Sequence, residues 1–153
     1  MRLWRLVKTK YASTPFDGEG ARLHGARWTS PGTRVAYASS NSALAVLEVL
    51  VHMMGGGGIL RGYSLVTATL PDALVEDIPA ADIPVDWYSS PVPPDVQSIG
   101  DGWIRSGRTL ALRVPSAIVD GSYNILINPE RSDFAQLVVE SSVPFVFDPR
   151  LLR

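Results

Sequence analysis

The sequence predicts an α+β protein: a single compact domain, 1–153, with a mixed or antiparallel sheet and a few helices. Three observations lead there. Short apolar or alternating runs outnumber helical ones. They do not alternate regularly with helices, as repeated βαβ units would. No internal repeat and no linker-like stretch divides the 153 residues, a length that favours one domain.

Taken in order, Leu3 to Val7 reads as a first strand. Residues 8–31 follow as a long loop with Gly18, Gly20 and Gly25, anchored by Trp28 and the Ser-Pro-Gly turn at 30–32. A short strand is expected over Arg34–Ala38, and Ser39, Ser40 and Asn41 are N-cap candidates for the next helix. In that helix, Ala43, Leu47, Leu50, Val51 and Met54 form one stripe, while Leu44, Ala45, Val46 and Val49 leave little polar surface opposite; the pattern predicts a buried helix. Gly55–Gly58 is expected to end it. Arg61 to Leu70 alternates as a strand should. After a proline-rich connection over Pro84–Pro94, Val96, Ile99 and Trp103 recur at helical spacing with Gly107 as the stop. Short strands are then expected over Thr109–Val114, Asn124–Ile127, Gln136–Val139 and Pro144–Phe147.

Composition removes several function classes. A hydrophobic content of 46% with 19% charged residues belongs to a folded chain and not to a disordered one. Fourteen Lys+Arg against fifteen Asp+Glu leave a net charge of −1, which argues against direct nucleic-acid binding through a basic surface. With no cysteine there is neither disulfide nor thiolate nucleophile, as suits a reducing cytoplasm. The opening MRLWRLVKTK lacks a signal-peptide core, and the longest apolar stretch, Ala43–Met54, is too short to span a bilayer, so a cytoplasmic protein without membrane contact is expected. Two histidines and no cysteine leave little for a metal; Glu48 and His52, one turn apart, read as an i,i+4 pair. Neither GxGxxG, nor a Gly-Lys-Ser/Thr cradle, nor a GxSxG elbow is present.

What remains is a small set of misplaced polar residues. An ionised Glu48 in an apolar helical wall costs several kcal/mol unless it is paired. It either reaches solvent at the helix edge or faces a pocket, where it could hold sugar hydroxyls or stabilise a developing cation. Arg27, in GARW, is either solvated or a bidentate phosphate ligand. Tyr37 is either core or a stacking face for a heterocycle, and Ser116 most simply starts a turn after Pro115. An arginine for a diphosphate, an aromatic for a base and a glutamate for a ribose would together suit a dinucleotide, but such generic motifs do not establish one.

Three segments carry a more specific signal: ARLHGARWTSPGTRVAYASSNSALAVLEVLVH at 21–52 (preceded by Gly20), IGDGWIRSG at 99–107, and LRVPSAIV with NILINPERSDF at 112–134. In order and spacing the chain resembles the RES-domain family, named for its Arg, Glu and Ser and found as the toxin of Xre–RES toxin–antitoxin pairs. The resemblance spans essentially the whole chain. It implies a fold similar to ADP-ribosyltransferase toxins and an active site for NAD+. It places the family's arginine at Arg27, its tyrosine at Tyr37, its glutamate at Glu48 and its serine at Ser116, with Asn128 as a weaker candidate for the pocket rim. The expected activity is cleavage of the nicotinamide–ribose bond, with water or inorganic phosphate as acceptor, or transfer of ADP-ribose to a protein. NAD+ is then a substrate, and no cofactor or metal is implied. The expected partner is an Xre-type antitoxin, with a homodimer inside their complex. One departure is at Glu130 and Arg131, where relatives often carry a histidine. The alternative is a non-catalytic domain that only seats a partner.

Overall fold

The computed structural model describes residues 1–54 and 60–152. Among the described residues, ten regular elements carry the fold: β1 (Arg2–Lys8), α1 (Glu19–His24), β2 (Ala36–Ser39), α2 (Ser42–Met54), β3 (Tyr63–Thr69), β4 (Val75–Asp77), α3 (Pro94–Ser106), β5 (Ala111–Pro115), β6 (Tyr123–Ile127) and β7 (Val138–Phe145). One mixed sheet runs β4-β5-β6-β2-β1-β3-β7. The β4–β5 pair is parallel, and the other five pairs are antiparallel. The α+β expectation with a mixed sheet therefore holds.

Strand alternation sorts the core onto two faces. Leu3, Val7, Ala36, Ala38, Ala111, Ile125 and Ile127 point to one face, which Phe16, Leu70 and Leu110 close. On the other, Leu112, Val114 and Leu126 pack with Trp28, Val96 and Trp103, so α3 covers this half. Leu6 packs with Leu50, so α2 covers the rest.

The seam between β1 and β2 is the weak line of the sheet. Their ladder comes down to one register pair, Trp4 with Ser39, whereas β1 pairs with β3 along its full length, from Arg2–Thr69 to Lys8–Tyr63. Past that pair the ladder stops, and a guanidinium nitrogen of Arg5 donates to the carbonyl of Tyr37. A side chain thus replaces ladder hydrogen bonds, and a cleft can open there.

Several expectations are corrected. The loop over 8–31 contains a 3-10 turn at Thr9–Tyr11 and the six-residue α1, too short to leave a periodic apolar signal. The second strand begins at Ala36 and not at Arg34. β4, only three residues, lay hidden in the connection after β3. The two strands expected at 136–139 and 144–147 are one strand, β7. A bulge causes the misreading: Thr67 pairs with Ser141 but Ala68 with Val139, leaving Glu140 unpaired and inverting the alternation. Phe147 is buried, but beyond the strand's end.

The helices hold where their end signals were strong. Asn41 Oδ1 accepts the Leu44 N–H at 2.8 Å and caps α2. Pro94 opens α3, and Gly107 closes it in the left-handed conformation with φ +59°. The glycines expected to end α2 lie outside the described residues. α2 itself is not buried all round: Leu44, Ala45 and Leu50 are buried, whereas Ala43 and Val51 are exposed. Its second apolar side, with Ala45, Val49 and Val51, is the wall of a cleft.

Candidate active site

The cleft holds about 640 Å³ at the β1–β2 seam, within the usual range for ligand pockets. α2 supplies Glu48 and His52, β2 supplies Tyr37 and Ser39, β6 supplies Asn124, and the loop after α1 supplies Arg27; Arg5, His24, Gln97 and Ile118 also line it. Both histidines of the chain are therefore at the cleft.

Glu48 is neither free at a helix edge nor sealed in core. Its Oε1 accepts from Asn124 Nδ2 at 2.5 Å and from Ser116 Oγ at 3.4 Å. Asn124 is held in turn, since its Oδ1 accepts from Ser39 Oγ at 3.0 Å, across the register pair Ser39–Asn124. Ser116 Oγ accepts the N–H groups of Ile118 and Val119 at 3.1 and 3.2 Å. Those bonds occupy its lone pairs and leave its proton for the carboxylate. Ser116 is buried behind Glu48 and does not form the cleft wall; its neighbours Ala117 and Ile118 do. His52 is not paired with the Glu48 carboxylate; its Nδ1 lies 2.5 Å from the Glu48 backbone carbonyl.

Arg27 is anchored on the opposite sequence segment. Nη1 donates to the carbonyls of Trp87 at 2.8 Å and Ser89 at 3.0 Å. This fixes the guanidinium plane and directs the remaining donors. Tyr37 is half-buried, with its hydroxyl 3.0 Å from Thr29 Oγ1, and burial raises its pKa above the usual phenol value despite that bond. Its ring edges the cleft while the hydroxyl is tied to the Arg27 loop.

Asn128 is not brought to the cleft. It is buried just past the end of β6, where its Oδ1 accepts the Glu130 N–H at 3.0 Å and shapes the following turn. Asn124, four residues earlier and on the cleft face of the same strand, takes the place expected of it. Arg5 is the other residue the sequence reading missed. Burial pulls the pKa of its guanidinium down to about 10, with Asp17 opposing, and its buried Nε has no hydrogen-bond partner among the described residues. An unsatisfied buried donor is costly unless a ligand completes it. Both omissions left a signal: Arg5 interrupts the apolar run LWRLV, and Asn124 is the polar opening of NILI. Among the described residues, no cluster of three or more His, Asp or Glu could hold a metal ion.

The comparison with known proteins completes the assignment. A family model described as the RES domain matches residues 2–148. The chain belongs to the RES-domain family. Relatives of this RES domain include a protein named Toxin Res from Photorhabdus laumondii, 34% identical over 100% of this chain and 98% of that one. Another Toxin Res, from Yersinia enterocolitica, is 35% identical over 99% of each chain. A Sphingobium protein named Prs ADP-ribosylating toxin is 36% identical over 98% of this chain and 96% of its own. The fold is similar to a chain of the M. tuberculosis MbcT–MbcA toxin–antitoxin complex, with a TM-score of 0.76 over 95% of this chain and 84% of that one, at 20% identity. Of the residues singled out in the sequence, Arg27 and Glu48 line the cleft, and Ser116 lies behind it with its hydroxyl on the Glu48 carboxylate.

Proposed function

We propose that this RES domain is the toxin of a toxin–antitoxin pair and that it consumes NAD+ by cleaving the nicotinamide–ribose bond. One observation carries the reading: a carboxylate, Glu48, is held at the cleft by Asn124 and Ser116, in a chamber that also contains Arg27 and Tyr37. The names of the relatives support the toxin role, and that of the Sphingobium protein supports chemistry on ADP-ribose.

In the proposed step the bond from the ribose anomeric carbon to the pyridinium nitrogen breaks. Its electron pair leaves with nicotinamide, which becomes neutral and needs no general acid. The ribose becomes oxocarbenium-like, as in glycoside cleavage. Glu48 stabilises that charge and accepts hydrogen bonds from the ribose hydroxyls. Arg27 binds the diphosphate with the donors that its backbone partners leave over. Arg5, with its unpartnered Nε, completes the anion side of the cleft. Tyr37 packs on the nicotinamide ribose or ring, and Ser116 acts through Glu48. The acceptor that closes the reaction is water, inorganic phosphate or a protein side chain, and product analysis with and without phosphate distinguishes them. The partner is an Xre-type antitoxin, and the site of action is the cytoplasm.

Incubation of the purified protein with NAD+ tests the reading. Nicotinamide release is expected, and Glu48→Gln, which keeps the shape and removes the charge, should slow it on the order of 10²–10³-fold with an unchanged fold. A Glu48→Gln protein that inhibits growth fully at matched expression would overturn the role of Glu48. No loss of dinucleotide and no modified protein with the native chain would favour a domain that only seats a partner.

A further inference from the structure

We infer that Asp101, which is not part of the cleft wall, is a positioning residue for Arg27, and that one face of α3 exists to aim the Arg27 guanidinium. The inference rests on the anion-binding role of Arg27 proposed above. Asp101 Oδ1 accepts the Ser30 N–H at 3.0 Å and the Thr33 hydroxyl at 2.7 Å, and Oδ2 accepts the Ser30 hydroxyl at 2.5 Å. One turn earlier on α3, Gln97 Nε2 donates to the Ala26 carbonyl at 2.9 Å. Between them Gly100 lies so close to the loop that a Cβ there would stand 2.0 Å from the Trp28 carbonyl oxygen. Positions 97, 100 and 101 share one helix face, and they grip the chain on both sides of Arg27.

The grip continues beyond the backbone. Trp28 is buried and stacks on Trp87 with ring centroids 5.5 Å apart, and it is the carbonyls of Trp87 and Ser89 that fix Arg27 Nη1. The arginine is thus set by its own main chain, held by α3, and by the segment that leads into α3. Burial acts to raise the Asp101 carboxyl, but the hydrogen bonds from Ser30 and Thr33 outweigh it and leave it below the ordinary carboxylate range. A charged carboxylate accepting three bonds is a stiff anchor. Small displacements of a positioning group can cost on the order of 10²-fold in rate, so a loop shift is felt at the substrate although Asp101 touches none.

A double-mutant cycle tests this. Asp101→Asn keeps the size and removes the charge. With the Arg27 side chain present it should lower kcat/KM for NAD+ about tenfold or more, and in an Arg27→Ala background less than twofold. The same factor in both backgrounds would overturn the inference, because a merely structural residue acts alike with or without its supposed client. If Asp101→Asn does not fold, Ser30→Ala, which removes one of the three bonds, runs the same cycle with a smaller expected coupling. Native protein that leaves NAD+ intact would defeat the proposed reaction alone. The cycle is then read by calorimetric titration with inorganic pyrophosphate, where tenfold weaker binding by Asp101→Asn is expected only when Arg27 is present. Equal weakening in both backgrounds, or no pyrophosphate binding by the native chain, overturns it.

Discussion

At the scale of single residues, Arg27 is a fork and not a point charge, because Nη1 is bound by two carbonyls while the rest of the group stays available. Arg27→Lys is therefore not conservative. We expect kcat/KM for NAD+ to fall about 10–100-fold, partly as a higher KM and partly as a lower kcat, since remote binding energy holds the ribose in its reactive geometry. Nicotinamide mononucleotide lacks the diphosphate, so it should be a poor substrate that loses little further. Equal losses with both substrates would move Arg27 away from the diphosphate. Asn124 allows a second prediction. Its amide donates to the Glu48 carboxylate at 2.5 Å and accepts from Ser39. Hydrogen bonds to charged groups contribute about 1.5–3 kcal/mol, which converts to a rate loss of roughly 10–100-fold for Asn124→Ala. Steady-state kinetics on a variant with native circular dichroism checks it, and an unchanged kcat would mean that Glu48 holds its orientation without Asn124.

At the scale of elements, α3 and the 26–33 loop form one unit. Gly100→Ala places a methyl against the Trp28 carbonyl, and overpacking of that kind costs about 1–3 kcal/mol. Denaturant unfolding should show the loss. The same unit has an acid dependence whose sign is fixed by Asp101. Its folded pKa lies below the ordinary 3.8, because hydrogen bonds from Ser30 and Thr33 exceed the opposing effect of burial. A depressed carboxyl contributes stability that is present above the unfolded value and is lost as pH falls through the folded value. Asp101→Asn should therefore flatten the stability profile below about pH 4 and leave the slope from pH 5 to 7 as it was. Unfolding midpoints measured across that range check it; an unaltered acid slope would show that the carboxylate gains nothing from its three donors.

At the scale of the whole molecule, the cleft exists because two halves of one sheet meet at a single register pair. Trp28, 1% exposed, packs under α3 with Val96 and Trp103 against Leu112, Val114 and Leu126 of the β5–β6 half of the sheet. Trp28→Ala should cost about 3–5 kcal/mol and collapse the Arg27 loop together with the stack on Trp87, so stability and activity should fall together. The open cleft also predicts how the proposed antitoxin inhibits. If it closes the NAD+ pocket, a stable NAD+ analogue should bind the free RES domain and bind the complex at least tenfold more weakly. Equal affinity for both would exclude occlusion.

Much of this was legible in the sequence because it depends on local order. Alternation and turn residues marked most strands, Asn41 and Gly107 bounded helices, and the lone Glu48 in an apolar helix stood out as either a solvent-facing edge or a pocket residue. The family segments drew attention to Arg27, Tyr37 and Ser116, of which Arg27 and Tyr37 line the cleft and Ser116 lies behind Glu48. Other features depend on what lies across the sheet, which no local pattern contains. The bulge at Glu140 inverted the alternation of β7 and made one strand look like two. Nothing within 124–128 tells that Asn124 meets Glu48 while Asn128 caps its own loop; the antiparallel register of β6 on β2 sets Asn124 opposite Ser39 and beside Glu48, whereas Asn128 already lies past the strand's end. The position of Arg5 at the seam, and the hold of α3 on the loop that carries Arg27, likewise join residues far apart in the chain. A sequence fixes which side chains are available and which faces they share, whereas partners across strands are set by register and packing, and these exist only once the chain has closed on itself.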